Sequence, residues 1–171
     1  MLDRFCFACG VAFILCTPAA ADSKEPRFED YPAQVETHLK PAAPKFKTGG
    51  QRQFRTMIRE SVEKGVNFAG HYTIAEWGCG SGCVQMTVVD LRTGDVYDGP
   101  FGALPRARMS LIPDADVDKT GIFYQEDSSL FIARGCPNER DCGGYFYRWT
   151  GTQFELLRRI AMKSRLGDAK P

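Results

Sequence analysis

Four cysteines fall as two tight pairs, Cys79/Cys83 and Cys136/Cys142, and thiols at such spacing can close disulfides, hold a metal or attack as nucleophiles. The spacings C-x3-C and C-x5-C depart from the C-x2-C of zinc sites, which argues against a metal. A nucleophilic thiol needs a helix N-terminus or a neighbouring cation to lower its pKa. The run Gly78-Cys79-Gly80-Ser81-Gly82-Cys83 supplies neither. Disulfides are the expected state, and four cysteines admit three connectivities. Local bridges Cys79 to Cys83 and Cys136 to Cys142 are the simplest, with the two crossed arrangements open. A bridge across so short a loop contributes about 2 kcal/mol of chain entropy. Its larger effect is on shape, because a preordered loop loses less entropy when it meets a partner. The binding loops expected on this reading are Gly80, Ser81 and Gly82 in the first and Asn138, Glu139, Arg140 and Asp141 in the second.

Other residues could carry chemistry. His71 is a conceivable general base, with Glu76 or Asp90 as its carboxylate and Ser81 as nucleophile. Gly80-Ser81-Gly82 does not match the G-x-S-x-G elbow, and a lone histidine on an aromatic strand is more often a structural hydrogen-bonding residue. No catalytic residue is therefore assigned; His71, Glu76 and Ser81 are the candidates for a small periplasmic hydrolase, the alternative reading. Asp114, Asp116 and Asp118 repeat the opening rhythm of a calcium loop. Lys119 stands where the turning glycine belongs and Gln125 where a bidentate Glu is needed, so an acidic surface turn is expected, with no metal and no cofactor. Tyr145, Tyr147 and Trp149 alternate and share one strand face; Arg148 on the opposite face marks theirs as the inner one.

The elements that must position these residues begin after a leader. Arg4, the apolar run Phe5 to Cys16 and Ala19-Ala20-Ala21 have the layout of a signal peptide over 1–21, with cleavage before Asp22. The apolar run is shorter than the roughly 20 residues a bilayer span requires. Its removal takes Cys6, Cys9 and Cys16 and reduces seven cysteines to four, as suits a protein exported to an oxidising compartment, periplasmic or secreted. The remaining 150 residues suffice for one domain with a core. A formal net charge of +1 with mixed signs gives no global field for nucleic acid or an anionic membrane. Arg158, Arg159, Lys163 and Arg165 read as a solvated end.

Residues 22–47 hold four prolines and read as an extended arm carrying His38, with Phe28, Tyr31, Pro32 and Val35 able to dock. Thr48 and Gln51 have the spacing of a capping box, and Phe54, Met57, Ile58, Ser61 and Val62 follow at helical period up to a Gly65 C-cap. From Asn67 the signals are β-type: His71 to Trp77, Val84 to Leu91 and Val96 to Tyr97 as a meander, then Ile122 to Gln125, Leu130 to Ala133, Tyr145 to Trp149 and Phe154 to Ile160. Residues 98–120 look mostly irregular. The expected fold is α+β over a single domain, 48–171: a curved, mostly antiparallel β-sheet or partly closed barrel with one amphipathic helix packed on it.

The runs Asn67-Phe68-Ala69-Gly70-His71-Tyr72, Trp77-Gly78-Cys79-Gly80-Ser81-Gly82-Cys83, Asp90-Leu91-Arg92-Thr93-Gly94 and Asp127-Ser128-Ser129-Leu130 resemble a group of exported bacterial proteins for which no activity is established. The resemblance spans roughly residues 65–150; it implies an exported bacterial domain and lends no catalytic residue. The loop Cys136-Pro137-Asn138-Glu139-Arg140-Asp141-Cys142 is also loosely similar to the cysteine-bracketed loop with which some periplasmic lysozyme inhibitors block an active site, although its length differs and that motif's histidine is absent. The function expected is a non-catalytic envelope module that recognises a protein or glycan through its bracketed loops in an inhibitor-like manner.

Overall fold

Thr48 opens the helical layer with a reciprocal cap. Its Oγ1 accepts from Gln51 N at 3.2 Å, and Gln51 Oε1 accepts from Thr48 N at 3.3 Å. In the computed structural model, which describes residues 24–80, 82–105 and 121–161, helix α1 covers Gly49–Gln53 and helix α2 covers Arg55–Lys64. The single helix of the sequence reading is thus two, broken at Phe54 (φ −99°, ψ 18°), whose ring stacks on Trp77 at 4.4 Å between centroids. Ile58 and Val62 are buried, whereas Met57 stays exposed, so the apolar stripe is narrower than its period suggested. Gly65 has a positive φ of 88° but a ψ of −155°, outside the left-handed helical cap expected there.

The strands follow two meanders. β1 (Tyr72–Gly78), β2 (Cys83–Asp90) and β3 (Val96–Asp98) pair in order, and β4 (Leu104–Pro105) adds to the start of β2. β5 (Gly121–Tyr124), β6 (Leu130–Gly135), β7 (Gly143–Trp149) and β8 (Phe154–Ala161) form the second sheet. All these pairings are antiparallel, so the α+β class holds. The partly closed barrel does not form: the sheets are open and curl only weakly. The physical reason is that they bury their apolar faces against each other. Tyr72, Ile74, Val84, Met86 and Val88 share one core with Phe131, Ala133, Tyr145, Tyr147 and Trp149. The aromatic ladder Tyr145/Tyr147/Trp149 is therefore core, and burial pushes the Tyr147 hydroxyl up to about 12.

The outer faces are covered differently. Ile58 and Val62 of α2 pack on Ala75, Trp77, Val89, Leu91 and Val96, which leaves β1 and β2 buried on both sides. Leu130, Ile132 and Phe146 of the second sheet receive Phe28 and Tyr31 from the arm. That arm is a strap. Ala33 N donates to Asp127 O at 2.7 Å, Glu36 N to Gly70 O at 2.9 Å, Ala42 N to Leu91 O at 2.8 Å and Lys45 N to Gly94 O at 2.7 Å, so it crosses from one sheet to the other. Gly70 (φ 86°) and Gly94 (φ 79°) allow the approach, because a Cβ on either would overlap the strap carbonyl of Gln34 or Ala43. The expected signal peptide, Ser81 and the acidic turn Asp114/Asp116/Asp118 lie outside the described residues. No helix among the described residues is long and apolar enough to cross a membrane.

Candidate functional site

Both disulfides close locally, Cys79–Cys83 with Cα atoms 5.2 Å apart and Cys136–Cys142 with 4.0 Å. The first bridges the β1–β2 turn and the second the β6–β7 turn, and the segment Gly102–Pro105 joins them. On one side Cys83 and Val84 pair with Pro105 and Leu104. On the other, Cys136 N donates to Pro105 O at 3.3 Å and Asn138 N to Ala103 O at 2.9 Å. Gln85 adds a brace: its Nε2 donates to Gly102 O at 2.9 Å while its Oε1 accepts from Trp77 Nε1 at 2.9 Å. Two loops more than fifty residues apart in the chain thus form one continuous end of the sandwich. Sequence reading missed the Gly102–Pro105 strut, because a two-residue strand ending in proline has no detectable period; the apolar pair Phe101 and Leu104 was its only signal.

The second loop holds an unusual backbone. Asn138 (φ 51°), Glu139 (φ 64°) and Asp141 (φ 47°) are all left-handed without being glycine, at a cost of order 1 kcal/mol each. Surrounding contacts enforce it. Asn138 Oδ1 accepts from Gly102 N at 3.1 Å and from Ala103 N at 3.4 Å, the Tyr145 hydroxyl donates to Asp141 O, and the bridge closes the loop base over a fully buried Cys136. Asn138 is thereby an internal tie, and the side chains left outward are Glu139, Arg140 and Asp141. Asp141 meets Arg159 at 3.3 Å, and Arg159 lies over the Tyr145 ring at 5.6 Å. The Arg140 guanidinium makes no ion pair among the described residues. In the first loop Cys79, Gly80 and Gly82 are exposed.

His71 lies at the opposite end, just before β1. Its Nδ1 is 4.0 Å from Glu36 Oε1 and its Nε2 is 3.9 Å from Asp90 Oδ1, and its ring leans on Tyr72 at 4.1 Å. Burial and the Arg92 charge hold its pKa below the ordinary value, against the opposing pull of the Asp90 and Glu36 carboxylates. Arg92 itself pairs with Glu36 and holds that carboxyl low. Glu76 is elsewhere: five residues along β1, about 17 Å at strand rise, it is exposed and accepts from the Tyr124 hydroxyl at 3.4 Å. Burial, then the Glu76 charge, pushes that hydroxyl up to about 12. His71 and Glu76 therefore do not converge, and of the two carboxylates weighed for His71 it is Asp90 that lies beside it.

No protein-family model, curated protein or solved structure matches the chain.

Proposed function

We propose that the protein is an exported module of the cell envelope that recognises a protein or glycan through the end formed by its two disulfide-bracketed loops. The observation that carries this reading is the tie through Gly102–Pro105, which makes two exposed loops one preordered surface. Left-handed, non-glycine backbone concentrates where a loop's shape is part of its role, and here three such residues sit within four positions of an exposed turn. Export accounts for the leader-like residues 1–21 and for the bridges. The resemblance to exported bacterial proteins and to inhibitor loops points the same way. A hydrolase centred on His71 has less support, since its histidine stands at the strap end and Glu76 does not reach it.

The test is retention of envelope proteins and peptidoglycan fragments, with a panel of lysozymes, on the immobilised mature chain. Arg140→Glu leaves both bridges in place and Cys136→Ser/Cys142→Ser removes one. Both variants are expected to lose the partner that the wild type retains. Identical retention by all three proteins would refute recognition by the loops.

A further inference from the structure

Residues 37–64 hold seven Lys and Arg against two acids, Glu60 and Glu63, in a chain whose formal net charge is +1. Everything outside that stretch is net acidic. The cations also share one layer, formed by the second half of the strap and the two helices. Lys47 N donates to Gln51 Oε1 at 2.8 Å, and the Arg59 guanidinium lies over the Phe46 ring at 5.5 Å, which sets the strap alongside the helices. Arg55 Nη1 donates to Arg52 O at 3.2 Å, and Arg59 follows Arg55 by one helical turn. Lys45, Arg52, Arg55 and Arg59 are exposed, and none of them makes an ion pair among the described residues. Neither Glu60 nor Glu63 comes within ion-pair distance of them; among the described residues the one pairing in the band joins Lys47 to Asp95 at 3.1 Å.

We propose that this layer docks the protein peripherally on an anionic phospholipid surface. Charge complementarity is the argument. The stretch holds seven cations against two acids in a chain whose formal net charge is +1, so its field is local and strong near that layer. Three of the six cations of the stretch that make no ion pair among the described residues are arginines, whose planar forks match phosphate oxygens. The cations form a band across an outer layer, which suits a flat array of headgroups. The aromatic rings near them, Phe46 and Phe54, are half-buried in the core beneath, so no exposed stacking surface for bases or sugars accompanies the charge.

Sedimentation of the mature chain with vesicles tests this, comparing phosphatidylglycerol/phosphatidylethanolamine with phosphatidylcholine alone. Binding only to the anionic vesicles is expected, and it should collapse between about 0.1 and 1 M salt as the screening length falls from about 10 to about 3 Å. Each cation near an anionic surface contributes about fivefold in affinity. Arg52→Gln/Arg55→Gln/Arg59→Gln should therefore bind roughly a hundredfold more weakly, with a melting profile that shows it folded. Lys163→Gln/Arg165→Gln should bind as the wild type does. The proposal is overturned by equal binding to phosphatidylcholine, by wild-type affinity in the triple variant, by loss of binding in the Lys163/Arg165 variant alone, or by capture of soluble polyphosphate without vesicle binding.

Discussion

At one end of the sandwich the chain is cross-linked by Cys79–Cys83 and Cys136–Cys142, its turns are exposed, and left-handed residues are held in place around them. At the other end the strap closes both sheets without a covalent bond, through backbone hydrogen bonds of 2.7–2.9 Å and two glycines pressed against its carbonyls. The difference teaches how each end keeps its shape. Where the backbone lies against other backbone, excluded volume and paired amides suffice. Where a loop must keep a costly shape in contact with water, few packing contacts are available, and covalent bridges replace them. The strap end is thereby suited to stability and the disulfide end to presenting a surface.

The sharpest way to break this contrast is to add a single methyl group at each end. Gly70→Ala and Gly94→Ala each force a left-handed alanine and an overlap with a strap carbonyl, so a loss of about 3 kcal/mol in urea unfolding is expected. Gly80→Ala at the disulfide end also has a positive φ, 120°, but nothing lies within 4 Å of its added Cβ. It should cost only about 1 kcal/mol. Equal losses at all three positions would erase the distinction between the ends.

Removing a bridge is the next largest change. Cys136→Ser/Cys142→Ser should lower stability by about 2 kcal/mol in the same assay, because the loop it closes is short and relief of the left-handed residues offsets part of the loss. Asn138→Ala should follow at about 1 kcal/mol, through two lost hydrogen bonds to Gly102 N and Ala103 N. Its more telling effect is mechanical. With the tie gone, amide exchange at Gly102 and Ala103 should accelerate while β7 stays protected, and unchanged exchange there would mean that the two loops are not coupled through this residue.

The strands were legible because alternation and glycine turns mark them: each observed strand that the sequence anticipated falls within two residues of its expected bounds, from Tyr72–Gly78 to Phe154–Ala161. The Thr48/Gln51 cap was legible for the same local reason. Long-range facts were not. Period-2 patterning tells which residues face inward but not whether the inward faces meet by curling one sheet or by stacking two. The need for glycine at 70 and 94 left no local sign, since the carbonyls that require it come from Gln34 and Ala43, far away in sequence. His71 suggested a base because its sequence neighbours hide Glu36, the strap carboxylate beside it. The joining of the two cysteine loops depended on β4, too short to leave a pattern.

Acid should distinguish the ends most gently, since the shifted titratable groups cluster on the strap side. Hydrogen bonding to Arg92 holds Glu36 low, Lys47 and Thr93 hold Asp95 low, and Arg27 holds Asp30 low. Burial and Arg92 hold His71 low. For a carboxylate with a depressed folded pKa, the unfolded chain binds the proton more readily, so its stabilisation is present above the unfolded value and is lost as pH falls through the folded one. A histidine with a depressed pKa obeys the same inequality: its neutral form belongs to the folded state, and the unfolded chain takes up the proton first. Stability should therefore begin to fall below about pH 6.5 and fall again below about pH 4. His71→Gln should abolish the first decline and leave the second. The bridges do not titrate, so amide protection factors on acidification should fall first at Glu36 and Gly70 and last at Cys136. A loop end that opens before the strap, or an unchanged first decline in His71→Gln, would contradict this assignment of the acid-sensitive contacts.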